Sequence, residues 1–131
     1  GKLLVENPTD IVIMGIGENG HIAFNDPGVA DFNDKKIVKP VKLDDICRRQ
    51  QVNDGCFKSI DLVPTHAMTL TVPTLVKAPW LFCIVPAATK AKAVCETING
   101  EICERCPASI LRTRKNAILY LDGNSSALLD F

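Results

Sequence analysis

A histidine, a carboxylate and three glycines fall in one short stretch, Gly15-Ile16-Gly17-Glu18-Asn19-Gly20-His21, followed by Asp26 in Asn25-Asp26-Pro27-Gly28. A histidine at a loop tip serves as general acid/base when a carboxylate holds one ring nitrogen. The carboxylate fixes the tautomer and leaves the other nitrogen for proton transfer. Asp26 lies five residues after His21, inside a turn sequence that can fold it back, although the same residues also supply ordinary turn chemistry. The glycines satisfy the dinucleotide pattern G-x-G-x-x-G, which needs a helix opening at the third glycine to hold a pyrophosphate. Pro27 and its turn would break any such helix within about two turns. Gly15, Gly17 and Gly20 are therefore read as a close backbone approach to a smaller anionic ligand.

Lys90 is the second candidate. Thr89-Lys90 opens a helical stretch directly after the apolar run Trp80–Val85 and the loop Pro86-Ala87-Ala88. A cation at a helix N-terminus opposes the dipole unless an anion binds there, so the position points to phosphate. A solvated lysine is the plainer reading. His66 sits in an alternating segment and is read as a sheet-face residue, and Arg112, Arg114 and Lys115 as a solvated helix end. Cys103-Glu104-Arg105-Cys106 is a C-x-x-C without a second pair at finger spacing. Even with Cys95 as a third thiolate, it reads as a loop rather than a zinc or redox site.

These residues need strand ends to position them. Asp10–Ile16 is expected as a buried strand, Lys36–Val41 as a second one, Ala67–Thr71 as a third, Trp80–Val85 as the most buried, and Ala117–Leu121 as the last. Helical stretches are expected over Leu43–Val52, around Pro73, over Thr89–Ile98 with Ala91, Val94, Cys95 and Ile98 inward, over Pro107–Arg112, and over Ser125–Leu129. Strands separated by helices predict βαβ units. The fold class is α/β: a three-layer, Rossmann-like, open and mostly parallel sheet with helices on both faces. In such sheets ligands sit outside the carboxyl ends of the strands, so His21, Asp26 and Lys90 should converge on one pocket.

The chain of 131 residues is expected to be a single domain or a C-terminal fragment of one. It carries 15 basic and 15 acidic residues, which gives no basic field for nucleic acid, and its few aromatics form no stacking platform. No apolar run approaches the roughly 20 residues of a membrane span. The six cysteines, two of them inside apolar or helical patterns, fit a reducing, cytoplasmic setting.

The segment from Gly15 to Pro27 closely resembles the signature of the glucosamine-6-phosphate deaminase/isomerase family, sister to 6-phosphogluconolactonase. The resemblance continues through Asp61–Thr71, Val85–Val94 and Pro107–Arg112, and Ile22-Ala23-Phe24-Asn25 favours the deaminase branch. It implies conversion of an amino-sugar 6-phosphate (glucosamine 6-phosphate or an epimer) to a ketose 6-phosphate and ammonia. Under it His21 is the ring-opening acid/base, Asn19 and Asp26 stand at the two acidic positions that orient it, and Lys90 binds phosphate. No metal or nucleotide cofactor is implied, and homo-oligomerisation is left open. The chain departs from the family where Asn19 replaces an aspartate and Asp26 a glutamate. An amide supports an imidazolium less well than a carboxylate does. A phosphate-binding arginine expected near Asn53–Phe57 is replaced by Gly55. The family's phosphate loop and its second proton-transfer acid lie upstream of the signature, so the resemblance covers the C-terminal part only. A lactonase-like hydrolase and a non-catalytic sugar-phosphate sensor are the competing readings.

Overall fold

In a computed structural model that describes residues 1–130, the chain runs α1 (Lys2–Glu6), β1 (Ile11–Met14), β2 (Val38–Lys42), α2 (Asp45–Asn53), β3 (His66–Leu70), α3 (Val72–Val76), β4 (Trp80–Val85), α4 (Ala91–Asn99) and β5 (Ala117–Leu121). Short 3-10 turns cover Ile60–Leu62, Ala88–Lys90 and Pro107–Thr113. β1, β4 and β5 form a parallel sheet in the order β1-β4-β5, with Met14 opposite Cys83 and Val85 opposite Leu121. This is the Rossmann-like α/β arrangement expected from the alternation of apolar runs and helical stretches.

β4 lies at the centre because it supplies the most buried side chains. Leu81, Cys83 and Val85 point into a core shared with Val72, Leu75 and Val76 of α3, Ala93 and Val94 of α4, and Ala108 and Leu111 of the turn before β5. Fully burying one such aliphatic side chain contributes about 1.5–3 kcal/mol. Alternation turns the other residues of these strands to the opposite face. Ile11, Ile13, Trp80, Ile84, Ile118 and Tyr120 are exposed there, Ile13 at 75%. The strand expected to be buried over Asp10–Ile16 is thus shorter and buried on one side only, and Trp80–Val85 is likewise half-buried.

Three further expectations change. β2 and β3 pair antiparallel in a separate two-stranded sheet, with Pro40 opposite Met68. An edge strand accommodates Pro40, whose missing N–H costs no ladder bond when it faces outward. Pro107–Thr113 is a 3-10 turn rather than an α-helix. In place of the helix expected over Ser125–Leu129, residues 123–128 form turns, because the Asp122 carboxylate accepts from the Asn124 and Ser125 amides and competes with a regular helix. In α4 the fully buried face is Ala91, Ala93, Val94 and Thr97, with Cys95 half-buried. Among the described residues, no helix is long and apolar enough to cross a membrane.

Candidate active site

The parallel strands β1 and β4 end side by side, and the chain leaving each one lines the same cavity of about 280 Å³. Gly15, Ile16, Gly17, His21 and Ala23 line it from the β1 side, Ile84, Val85, Pro86 and Lys90 from the β4 side, and Gln50 from α2. His21 and Lys90 therefore share one pocket, at the strand edge where the sequence placed them. Gly20, Asn19 and Asp26 are outside this lining and stand behind the histidine.

The loop after β1 is closed by its own backbone: Gly17 N–H donates to the His21 carbonyl at 2.9 Å and Gly20 N–H to the Gly17 carbonyl at 3.0 Å. The imidazole lies directly over Gly17, where a Cβ would sit 2.1–2.4 Å from three ring atoms. Gly20 has φ +82, and a Cβ there would approach Cys106 Sγ to 3.0 Å. Cys106 of the C-x-x-C segment thus packs beneath the loop as a free thiol, and Ala108 N–H donates to the Gly20 carbonyl at 2.9 Å. Downstream, buried Asn25 ties the loop to β3 by donating to the Leu70 carbonyl at 2.8 Å, and Phe24 N–H donates to Thr69 Oγ1 at 3.1 Å.

His21 is 9% exposed. Its Nδ1 lies 2.6 Å from Asn19 Oδ1 and 3.1 Å from Asp26 Oδ1. Both neighbours are acceptors, so Nδ1 carries the proton and Nε2 of the neutral ring keeps its lone pair. Asp26 accepts two further hydrogen bonds: from Asn19 Nδ2 to Oδ1 at 3.3 Å and from the Asp44 backbone N–H to Oδ2 at 3.0 Å. Burial works to raise the Asp26 pKa, but hydrogen bonds from His21 and the Asp44 amide, the His21 charge and the Asn19 amide outweigh it and hold it below the ordinary value.

α2 enters the site through its N-terminus, which the sequence did not signal as functional. Asp44 caps the helix, its Oδ1 accepting from Cys47 N–H at 2.7 Å, while its Oδ2 accepts from Asn19 Nδ2 at 2.6 Å. Gln50 Oε1 accepts from Glu18 N–H at 2.9 Å. The only local signal for this contact is the capping carboxylate three residues before Cys47. Cys47 is buried against the cluster, and burial with the Asp26 and Asp44 charges pushes its thiol up to about 12. Donor atoms of His21, Asp26 and Cys47 lie within 4.8 Å of one another. The histidine proton and the carboxylate are already bonded to each other and the thiol is held protonated, a poor donor set for a metal.

Lys90 caps α4 and is half-buried. Burial lowers its pKa, opposed by the charges of Asp54 and Glu18. Among the described residues no carboxylate lies within ion-pair distance of it. A partly desolvated cation at a helix N-terminus, facing a cavity, is suited to an anionic ligand group.

The fold and this site define an α/β domain with a parallel sheet whose strand ends carry a histidine and a lysine on one cavity. No family model matches the chain. It is 39% identical to a glucosamine-6-phosphate deaminase of Bacillus cereus (strain G9842) over 126 residues, 96% of this chain and 46% of the relative. It is 36% identical to the enzyme of Bacillus cytotoxicus over 126 residues, again 46% of the relative. In structure it matches a monomeric glucosamine-6-phosphate deaminase with TM-score 0.88 and 32% identity, covering 98% of this chain and 51% of that one. A 6-phosphogluconolactonase from Trypanosoma cruzi shares the fold, with TM-score 0.67 at 20% identity, covering 95% of this chain and 43% of that one. The chain is homologous to glucosamine-6-phosphate deaminases and spans about half the length of the curated relatives it matches.

Proposed function

We propose that this chain carries the ring-opening acid/base of a glucosamine-6-phosphate deaminase site, with His21 acting through Nε2 and Lys90 holding the phosphate. The observation that carries the reading is the commitment of His21 Nδ1 to Asn19 and Asp26 in a ring that lines the same cavity as Lys90. Nε2 takes the proton of the anomeric hydroxyl as the C1–O5 bond breaks, and the proton is returned to O5. The hemiacetal thereby becomes an open aldehyde and an alcohol, with atoms and charge balanced. The open chain is then competent for isomerisation to a ketose phosphate with loss of ammonia, steps that need a second acid/base beyond those named here. A positioned acid/base of this kind contributes about 10²–10⁴-fold. Gly15 lines the cavity without a side chain, whereas the space over Gly17 belongs to the His21 ring itself; the reading places the protein in carbohydrate metabolism with a sugar-phosphate ligand.

The test is a titration of the chain with glucosamine 6-phosphate and, separately, with 6-phosphogluconate, followed by amide shifts and by ammonia release. Saturable shifts at Gly15–His21 and Lys90 with the amino sugar, weakened about tenfold or more by Lys90→Met, are the expected result; loss of one charged phosphate contact of about 1.5–3 kcal/mol corresponds to that factor. Binding of 6-phosphogluconate alone would favour the lactonase-like reading. Saturable amino-sugar binding with no ammonia released by any form of the protein would favour a sensor. Absence of binding by either ligand would overturn the proposal.

A further inference from the structure

We infer that Asp44 is a positioning residue for His21, acting through the Asn19 side chain across 25 residues of sequence. The inference rests on the reading of His21 as the acid/base, and it assigns how the ring is set for that task. An asparagine amide can face a histidine with its oxygen or its nitrogen, and each choice forces the opposite tautomer on the ring. Asp44 settles the choice. A carboxylate offers acceptors, and Asp44 Oδ2 lies 2.6 Å from the Asn19 nitrogen, nearer than Asp26 Oδ1 at 3.3 Å. That contact turns Asn19 Oδ1 toward the ring, where it accepts from Nδ1 at 2.6 Å and from the His21 backbone N–H at 3.1 Å. The proton is pinned on Nδ1, and the Nε2 lone pair is left for the cavity. A flip of Asn19 would turn its NH₂ to Nδ1, forcing the Nε2–H tautomer, and would set its oxygen against the Asp44 carboxylate, a contact between two acceptors that disfavours the flip.

The second carboxylate that the resemblance leads one to expect beside His21 is therefore present, but on another element. Asp26 and Asp44 flank the Asn19 nitrogen at 3.3 and 2.6 Å, so the amide links two carboxylates to one imidazole. The charged neighbours of this cluster are Asp26 from the turn, Asp44 with the protonated Cys47 from α2, and Lys90 across the cavity. An aspartate in place of Asn19 alone would set two carboxylates at hydrogen-bond distance, where one must take a proton or move away.

Asp44 also caps α2, so a test must separate capping from positioning. Asp44→Ser keeps a capping oxygen for Cys47 N–H but its side chain is one atom too short to hold Asn19 in the same way. The measurement is the ¹⁵N spectrum of the His21 ring, which distinguishes Nδ1–H from Nε2–H, together with thermal melting and the turnover of the deaminase assay. In the unaltered chain a single Nδ1–H tautomer is expected. In Asp44→Ser the helix stays folded, the ring becomes a mixture of tautomers, and any turnover falls by about tenfold or more, the usual size of an outer-shell effect. In Asn19→Asp with Asp44→Asn, the two groups exchange places and the Nδ1–H tautomer returns. A single unchanged Nδ1–H tautomer in Asp44→Ser would overturn the inference, and so would failure of the exchanged pair to recover the tautomer while remaining folded. The ring spectrum requires no substrate, so a failure of the proposed activity would be seen separately, in the sugar-phosphate titration.

Discussion

The His21 ring occupies the space a side chain at Gly17 would need, and Gly17→Ala converts that crowding into a measurable quantity. Gly17 lies outside the left-handed region adopted by Gly20, Gly28 and Gly55, so alanine meets no backbone penalty there. Its Cβ would instead sit 2.1–2.4 Å from Cε1, Nδ1 and Nε2 of His21. A carbon contact needs about 3.5 Å, so the ring must retreat by roughly 1.1–1.4 Å. The Nδ1 contact to Asn19, now 2.6 Å, would lengthen beyond hydrogen-bond range, leaving Asp26 without its ring donor. Losing that partner costs about 1–3 kcal/mol, and the displaced packing adds about 1–3 kcal/mol. The expected loss is about 2–6 kcal/mol, or at least about 5 °C in Tm for a chain of this size. Urea melts of Gly17→Ala, His21→Ala and the double variant form the assay. With the ring removed, Gly17→Ala should cost less than about 1 kcal/mol, because its clash partner is gone. A Gly17→Ala protein as stable as the parent, or an equal loss in both backgrounds, would refute the claim that the ring occupies the space over Gly17.

Acid should unfold the protein partly through Asp26. Its folded pKa lies below the unfolded value of about 3.9, so its contribution is complete above that pH and is lost as pH falls through the folded value; Asp26→Asn should flatten this limb of the urea midpoint against pH. Ala87 holds φ 84 and ψ 148, a region that suits glycine alone and costs about 1–3 kcal/mol. Ala87→Gly should therefore raise stability by about 1 kcal/mol after the entropy of glycine is subtracted, measured by denaturant midpoint. Iodoacetamide mapping at about pH 8 should label exposed Cys56 first and spare Cys47 and Cys83 in the native protein, because burial pushes both of those thiols up to about 12.

What the sequence makes legible here is whatever is local. The pairing of His21 with Asp26 follows from a five-residue separation across a strong turn, and the common edge of His21 and Lys90 follows from two apolar runs ending just before them. The helices over Leu43–Val52 and after the Trp80–Val85 run were equally near their signals, although the second opens through a 3-10 turn at Ala88–Lys90 that the sequence does not announce. Long-range geometry was not legible. Nothing around Asp44 states that it will meet Asn19, since that contact depends on how α2 packs beside the β1 loop. The antiparallel pairing of β2 and β3 was hidden for a similar reason. A helical stretch between two apolar runs reads as a βαβ crossover, and the direction of return is decided by where Asn25 and Thr69 lock the loop. The half-exposed state of β1 was concealed by composition, because Ile11 and Ile13 look like core residues whichever way they face.

That exposed side of the sheet has a calorimetric consequence. Ile11, Ile13, Trp80, Ile84, Ile118 and Tyr120 are already 39–75% exposed in the folded chain, so unfolding hydrates less new surface at these positions than at buried ones. A protein of 131 residues ordinarily unfolds with a heat-capacity increment of about 1.6–2.0 kcal/mol/K, most of it from newly hydrated apolar area. The increment for this chain should fall below that range, and its stability curve should be correspondingly flat, with cold and heat weakening it over a broad span of temperature rather than around a sharp optimum.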